Sequence, residues 1–130
     1  MQTSKERKIA LAHAILDWNR EHLHKNSKLS EALIGEYFAE RFVVEPNGRR
    51  YEANCKTYKE FLHDMKSTVN SIQYRVMHAL ADEDAVVLSM HVDIRKTDLT
   101  TEHYRAMLLL KFDASEKIIL WHEIYVRHEI

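Results

Sequence analysis

The sequence is poor in the residues that staple or punctuate a chain. Of 130 residues, one is cysteine, one is proline and two are glycine. A lone thiol, Cys55, excludes an internal disulfide and a cysteine-based zinc site. Gly35 and Gly48 are too far apart to build a phosphate loop or a dinucleotide-binding turn. Charge of one sign is also missing. With 19 Lys+Arg against 20 Asp+Glu, the net charge is −1, and no global field draws the chain to nucleic acid or anionic lipid. No apolar run is long enough for a membrane span. No signal-length apolar stretch follows the charged start Met1–Lys8. The expectation is one cytoplasmic domain, residues 1–130, with no nucleic-acid or membrane partner.

What is abundant is histidine, with nine residues. At ordinary pKa values their protonation carries the formal charge from −1 toward about +8 by pH 5. Hydrophobic residues make up 45%, which argues against disorder. Their spacing predicts helices first and strands later. Residues 4–24 read as a helix behind a Thr3–Glu6 capping box. Its apolar positions, including Ile9, Ile15, Leu16 and Trp18, spread wide enough to be contacted on two sides. Ser30 caps a predicted second helix over 31–41 that buries Leu33, Ile34, Tyr37 and Phe38. Phe42–Val44 and Arg49–Glu52 form a short hairpin around Pro46-Asn47-Gly48, where Asn-Gly tolerates positive φ. Thr57 with Glu60 reads as a capping box opening a third helix. Residues 72–80, 85–96, 102–113 and 117–128 alternate with period two, as an antiparallel meander does. The fold class is α+β: three N-terminal helices on a strongly curved antiparallel sheet.

Centring the hairpins gives a register, and a one-residue slip would exchange the faces. The inner rows read Tyr74–Val92–Ala106–Ile124, Val76–Met90–Leu108–His122 and His78–Leu88–Leu110–Leu120. His122 and His78 are the exceptions on an apolar face, His78 as a satisfied polar group at its closed end. On the outer face, Asp93 opposes Arg105. There, Met107, Leu109, Ile119, Trp121 and Tyr125 form an apolar cluster of the composition found at interfaces. The expectation is a homodimer formed sheet to sheet.

The order of elements resembles the nuclear transport factor 2-like superfamily, in particular its SnoaL-like branch of polyketide cyclases and ketosteroid isomerases. The resemblance rests on Leu16-Asp17-Trp18-Asn19, on the run from Tyr37 to Val44, on Pro46-Asn47-Gly48, and on the hairpin from Phe112 to Glu123. It implies a cone-shaped α+β barrel, cystatin-like in outline, with a pocket at the open end. Arg41 stands where many relatives have an aspartate, no tyrosine lies in the first helix, and Met90 and Val92 are apolar. Steroid isomerase chemistry is therefore not expected.

Cyclases of this type place an acid or base on a pocket-facing strand, and the resemblance points to His122 as the nearest match. Burial would hold its imidazole neutral and able to accept a proton near pH 7. Trp18, Tyr37, Phe38, Phe61, Met65, Tyr74 and Met90 are the expected pocket lining. No cofactor is expected. No metal site is expected either: His91, Asp93 and Glu123 lack a third histidine, and His22 and His24 diverge on a helix. The leading functional expectation is a protein that binds a small, largely apolar organic molecule, as a lyase, cyclase or isomerase using His122 for proton transfer. The alternative is a non-catalytic dimeric binding module or a subunit of a larger enzyme.

Overall fold

The computed structural model describes residues 2–128. Helix α1 spans Ser4–His22, α2 Glu31–Gly35 and α3 Cys55–Lys66. The strands are β1 Phe38–Pro46, β2 Tyr51–Asn54, β3 Val69–Ala81, β4 Ala85–Lys96, β5 Thr101–Phe112 and β6 Ile118–Arg127. They form one six-stranded sheet in the order β2-β1-β6-β5-β4-β3. The α+β class and the four-stranded meander stand as expected. The sheet is mixed rather than wholly antiparallel, because β1 runs parallel to β6.

Local chemistry explains the helix starts. The Thr3 hydroxyl accepts the Glu6 N–H at 3.1 Å, and Ser30 accepts from Leu33 at 3.1 Å, each satisfying an orphan donor. The third helix begins earlier than expected. Asn54 caps it, accepting from Thr57 N–H at 2.9 Å while the Thr57 hydroxyl accepts the Asn54 N–H at 3.1 Å. So Thr57 closes a capping box rather than opening one with Glu60. The second helix is much shorter than 31–41. Lys117 Nζ donates to the carbonyls of Gly35 and Glu36 at 2.8 Å each, and the Ile118 N–H reaches Tyr37 O at 2.8 Å. Those contacts draw Phe38 into the sheet beside Ile118, where the chain becomes a strand. The third helix is not N-terminal to all strands; it follows β2.

Between the helices and the inner sheet face lies the core. Ile15, Leu16, Ile34, Leu62, Leu88, Met90, Leu108 and Leu110 are almost fully shielded from solvent. At about 1.5–3 kcal/mol for each large aliphatic side chain, this layer dominates the stability of the fold.

Bulges decide which side chains join that layer. In β4 and β5 the even-numbered residues face inward as expected: Leu88 opposes Leu108 and Met90 opposes Ala106. That pairing is offset by two residues from the centred rows, so the faces are kept. Between Lys111 and Phe112 the ladder to β6 is irregular: Phe112 pairs Ile118, whereas Lys111 pairs Leu120. Ile119 is thus the extra residue of a bulge, and every residue beyond it changes side. Trp121, Glu123 and Tyr125 turn inward, while His122, Ile124 and Val126 turn outward. A second irregularity, between Val76 and His78, does the same to β3. His78 is exposed on the outer face, and Ala79 opposes Leu88 on the inner one. Asp93 opposes His103 rather than Arg105, with His103 Nδ1 at 2.7 Å from its carboxylate.

Candidate active site

A cavity of about 300 Å³ opens between α1, α3 and the inner face of the sheet. Its wall is largely apolar. Leu23 caps the C-terminus of α1, Phe61, Leu62 and Met65 come from α3, and Val92 and Ala106 lie on the sheet. Into this wall the fold sets a few polar groups: Asn19, Tyr58, Tyr74 and Glu123, with Glu102, Tyr104 and Lys96 also contributing.

Glu123 is the chemically distinctive one. It opposes Leu108, a residue with no exposure, so its carboxyl projects into an environment that solvates charge poorly. Burial pushes its pKa up to about 7, and the Trp121 indole N–H acts in the opposite direction. Near neutrality the group is therefore divided between acid and carboxylate, the condition in which a carboxyl both gives and takes protons.

Of the four tyrosines that line the cavity with it, Tyr58 and Tyr74 lie nearest in electrostatic effect. Burial, followed by the nearby Glu123 charge, raises the Tyr58 pKa. Burial also raises that of Tyr74, with Glu123 adding to the shift and the Asn19 hydrogen bond opposing it. Both remain neutral O–H groups through the physiological range. Asn19, itself buried, donates its amide to the Tyr74 hydroxyl at 3.1 Å. That bond leaves the phenol's own proton free to be donated elsewhere. The Arg20 guanidinium lies 5.4 Å from the Tyr74 ring centroid and donates to Tyr74 O at 3.1 Å, fixing the ring from the helix side. Elsewhere in the lining, the Tyr104 hydroxyl donates to Glu102 at 2.9 Å, and Arg127 stands 3.4 Å from the same carboxylate.

The expected site residues divide. Phe61, Met65 and Tyr74 line the cavity. Trp18, Phe38 and Met90 are core instead, at 5%, 3% and 2% exposure. Phe38 packs on Phe42 at 4.7 Å, Tyr58 at 4.9 Å and Trp121 at 6.3 Å, supporting the aromatic wall from behind. Trp18 packs between His22 and Tyr37, at 4.8 and 6.5 Å, so Tyr37 also lies away from the cavity. His122 does not face the pocket. The Ile119 bulge turns it to the outer face, where its Nε2 lies 3.8 Å from Glu45. The same bulge removes Trp121 and Tyr125 from the outer apolar cluster and makes them cavity lining.

Glu123, Tyr58 and Asn19 were not among the residues expected to line the pocket. Only the extra residue in the final hairpin could have revealed Glu123. Among the described residues, no three His, Cys, Asp or Glu side chains converge as metal ligands. No helix among them is long and apolar enough to cross a membrane.

No family model and no curated protein matches the sequence. Solved structures do match in shape. An LEH-like epoxide hydrolase from M. tuberculosis is similar over 95% of this chain and 86% of its own, with 14% identity and a TM-score of 0.75. A Shewanella denitrificans protein assigned to the SnoaL-like polyketide cyclases is similar over 92% and 90%, at 14% identity and a TM-score of 0.77. A nuclear transport factor 2-like protein from Anabaena variabilis is similar over 100% and 96%, at 14% identity and a TM-score of 0.73. The fold is therefore nuclear transport factor 2-like, of the kind seen in SnoaL-like cyclases and epoxide-hydrolase-like proteins.

Proposed function

We propose that the cavity binds a small, largely apolar organic molecule and that Glu123 exchanges a proton with it. The observation that carries this reading is a carboxyl set opposite fully buried Leu108 in the wall of a largely apolar cavity, where desolvation raises its pKa to about 7. The volume of about 300 Å³ sits at the small end of the usual range for ligand sites, roughly 300–1,000 Å³. Tyr74, held by Asn19, and Tyr58 supply neutral donors for an oxygen on the substrate. Such a set serves a lyase, cyclase, isomerase or hydrolase in which an oxygen gains charge while a proton moves. Two proteins of similar shape are named for an epoxide hydrolysis and a cyclisation, which agrees with proton transfer at an oxygen-bearing substrate. In this reading Glu123 takes the role that the resemblance gave to His122.

The test is a panel of small epoxides and enolisable ketones, assayed for turnover across pH with the wild type and with Glu123→Gln. The expected result is turnover that depends on a group titrating near 7 and falls at least about 100-fold in the variant. Equal turnover in the two proteins would overturn the assignment. Saturable binding without turnover in either favours the alternative, a non-catalytic binding module.

A further inference from the structure

The inner sheet face changes character along its length. Glu123 stands in the row of Leu88 and Leu108. Later rows set Ala106 opposite Met90, Tyr104 opposite Val92 and Glu102 opposite Ile94. Lys96 closes β4 beyond them, paired with Val69 of β3. Lys96 and Glu123 therefore line one cavity from opposite ends of the sheet face. The path along β4 from Leu88 to Lys96 is about 26 Å at roughly 3.3 Å per residue. Between the two ends the wall is apolar, with Ile72, Val92, Ile94 and Ala106.

The charges at the Lys96 end are unequally matched. The Glu102 carboxylate accepts the Tyr104 O–H at 2.9 Å on one oxygen and lies 3.4 Å from Arg127 on the other, so the chain itself satisfies it. Lys96 Nζ donates to the Thr68 hydroxyl at 2.9 Å, a neutral acceptor. Among the described residues, no carboxylate lies within 4.0 Å of that ammonium. The nearby Asp98 is exposed and accepts the Thr100 N–H and O–H at 3.0 and 2.6 Å. Those bonds, and after them the Lys96 charge, hold Asp98 below its ordinary pKa. The partly buried Lys96 is fixed in place, its N–H bonded to Thr100 O at 2.8 Å and the next N–H, of Thr97, to Thr68 O at 3.0 Å. An ammonium has three donor protons, and Thr68 occupies one of them.

Given a ligand site in which Glu123 exchanges a proton, the reading on which this rests, we propose that the ligand is an elongated apolar molecule ending in one carboxylate, and that Lys96 binds that carboxylate. A lysine ammonium is a compact point charge, suited to a single monovalent group; it lacks the forked donors with which arginine clamps a phosphate. The position of the lysine also sets the direction of entry. A carboxylate that went in first would lose its water against the apolar wall and meet the charge of Glu123. The molecule therefore enters apolar end first and leaves its charge at Lys96. The lysine then fixes how deep the apolar end reaches, and so which atom of the ligand meets Glu123. Lys96 is in this way a specificity-determining residue, remote from the proton transfer.

The test is a titration of tryptophan fluorescence in the full chain, since Trp121 lines the cavity, with circular dichroism to confirm folding. The probes are decanoate and decanol, matched in length, at about pH 8, where the acid is ionised. Decanol reports the apolar cavity alone, and the difference between the two reports the lysine. In the wild type, decanoate is expected to bind at least about tenfold more tightly than decanol. Lys96→Gln is expected to weaken decanoate about tenfold and to change decanol less than about twofold. Lys96→Glu is expected to reverse the preference, taking decylamine over decanoate. Added salt should weaken decanoate and leave decanol unchanged. Equal wild-type affinities for the two probes, or undiminished decanoate binding in both Lys96 variants, overturns the carboxylate site, while decanol binding keeps the apolar ligand site standing. Binding of neither probe overturns both.

Discussion

Glu123 and Leu108 are cross-strand partners on the inner face of the sheet, although one carries a carboxyl and the other is wholly buried. The pairing follows from one extra residue, Ile119, in the final hairpin. It determines which of three consecutive side chains, Trp121, His122 and Glu123, reach the cavity.

The first expectation concerns pH and stability. Burial lifts the Glu123 pKa from 4.5 to about 7, so the folded protein holds this proton more tightly than the unfolded chain does. The corresponding stabilisation is fully present below pH 4.5 and is lost as pH rises through about 7. Relative to Glu123→Gln, the wild type should lose about 2–3 kcal/mol between about pH 4.5 and about pH 8. Urea unfolding of both proteins across this range checks it; parallel stability curves would count against a perturbed carboxyl.

The second contrasts neighbours in sequence. Trp121 is 8% exposed and stacks near Phe38, so Trp121→Ala should cost about 3–5 kcal/mol. His122 lies on the other face, and His122→Ala should change stability by less than about 1 kcal/mol. Denaturant midpoints decide the matter, since the opposite ranking requires the opposite face assignment.

The third concerns the bond between α1 and β3. Asn19→Ala removes the amide that the Tyr74 hydroxyl accepts, and should cost about 1–2 kcal/mol. In Tyr74→Phe, the same Asn19 substitution should have a smaller effect. A double-mutant cycle measures the difference, and additive costs would mean the two groups do not interact.

The fourth concerns the turn that anchors β6. Asn47 has φ 49°, and its side chain accepts the Tyr125 N–H at 2.7 Å. Asn47→Gly keeps the backbone geometry but loses the bond, while Asn47→Ala loses both advantages. We expect Ala to be the more destabilising, by about 1 kcal/mol relative to Gly. Thermal unfolding of the pair reads this directly, and equal melting temperatures would show that the backbone carries no strain there.

Several features were legible without coordinates. The Thr3 and Ser30 caps, the Asn47-Gly48 turn and the four long strands follow from local stereochemistry, which acts within a few residues. Other features were not. The second helix stops at Gly35 because Lys117, more than eighty positions away, takes its last carbonyls, and no local propensity encodes that contact. Among the expected lining residues, Phe38 and Met90 are as apolar as Phe61 and Met65. Which pair borders empty space depends on how α3 sits over the sheet.

The sequence by itself determined the α+β order of elements, the punctuation of its turns and the near-neutral charge rich in histidine. Each of these is set by residue type and short-range spacing. Tertiary structure decided the face of β6 and which carboxyl lines the cavity. In a strand of period two, a single bulged residue exchanges inside for outside, and where the bulge falls is settled by how the whole hairpin packs.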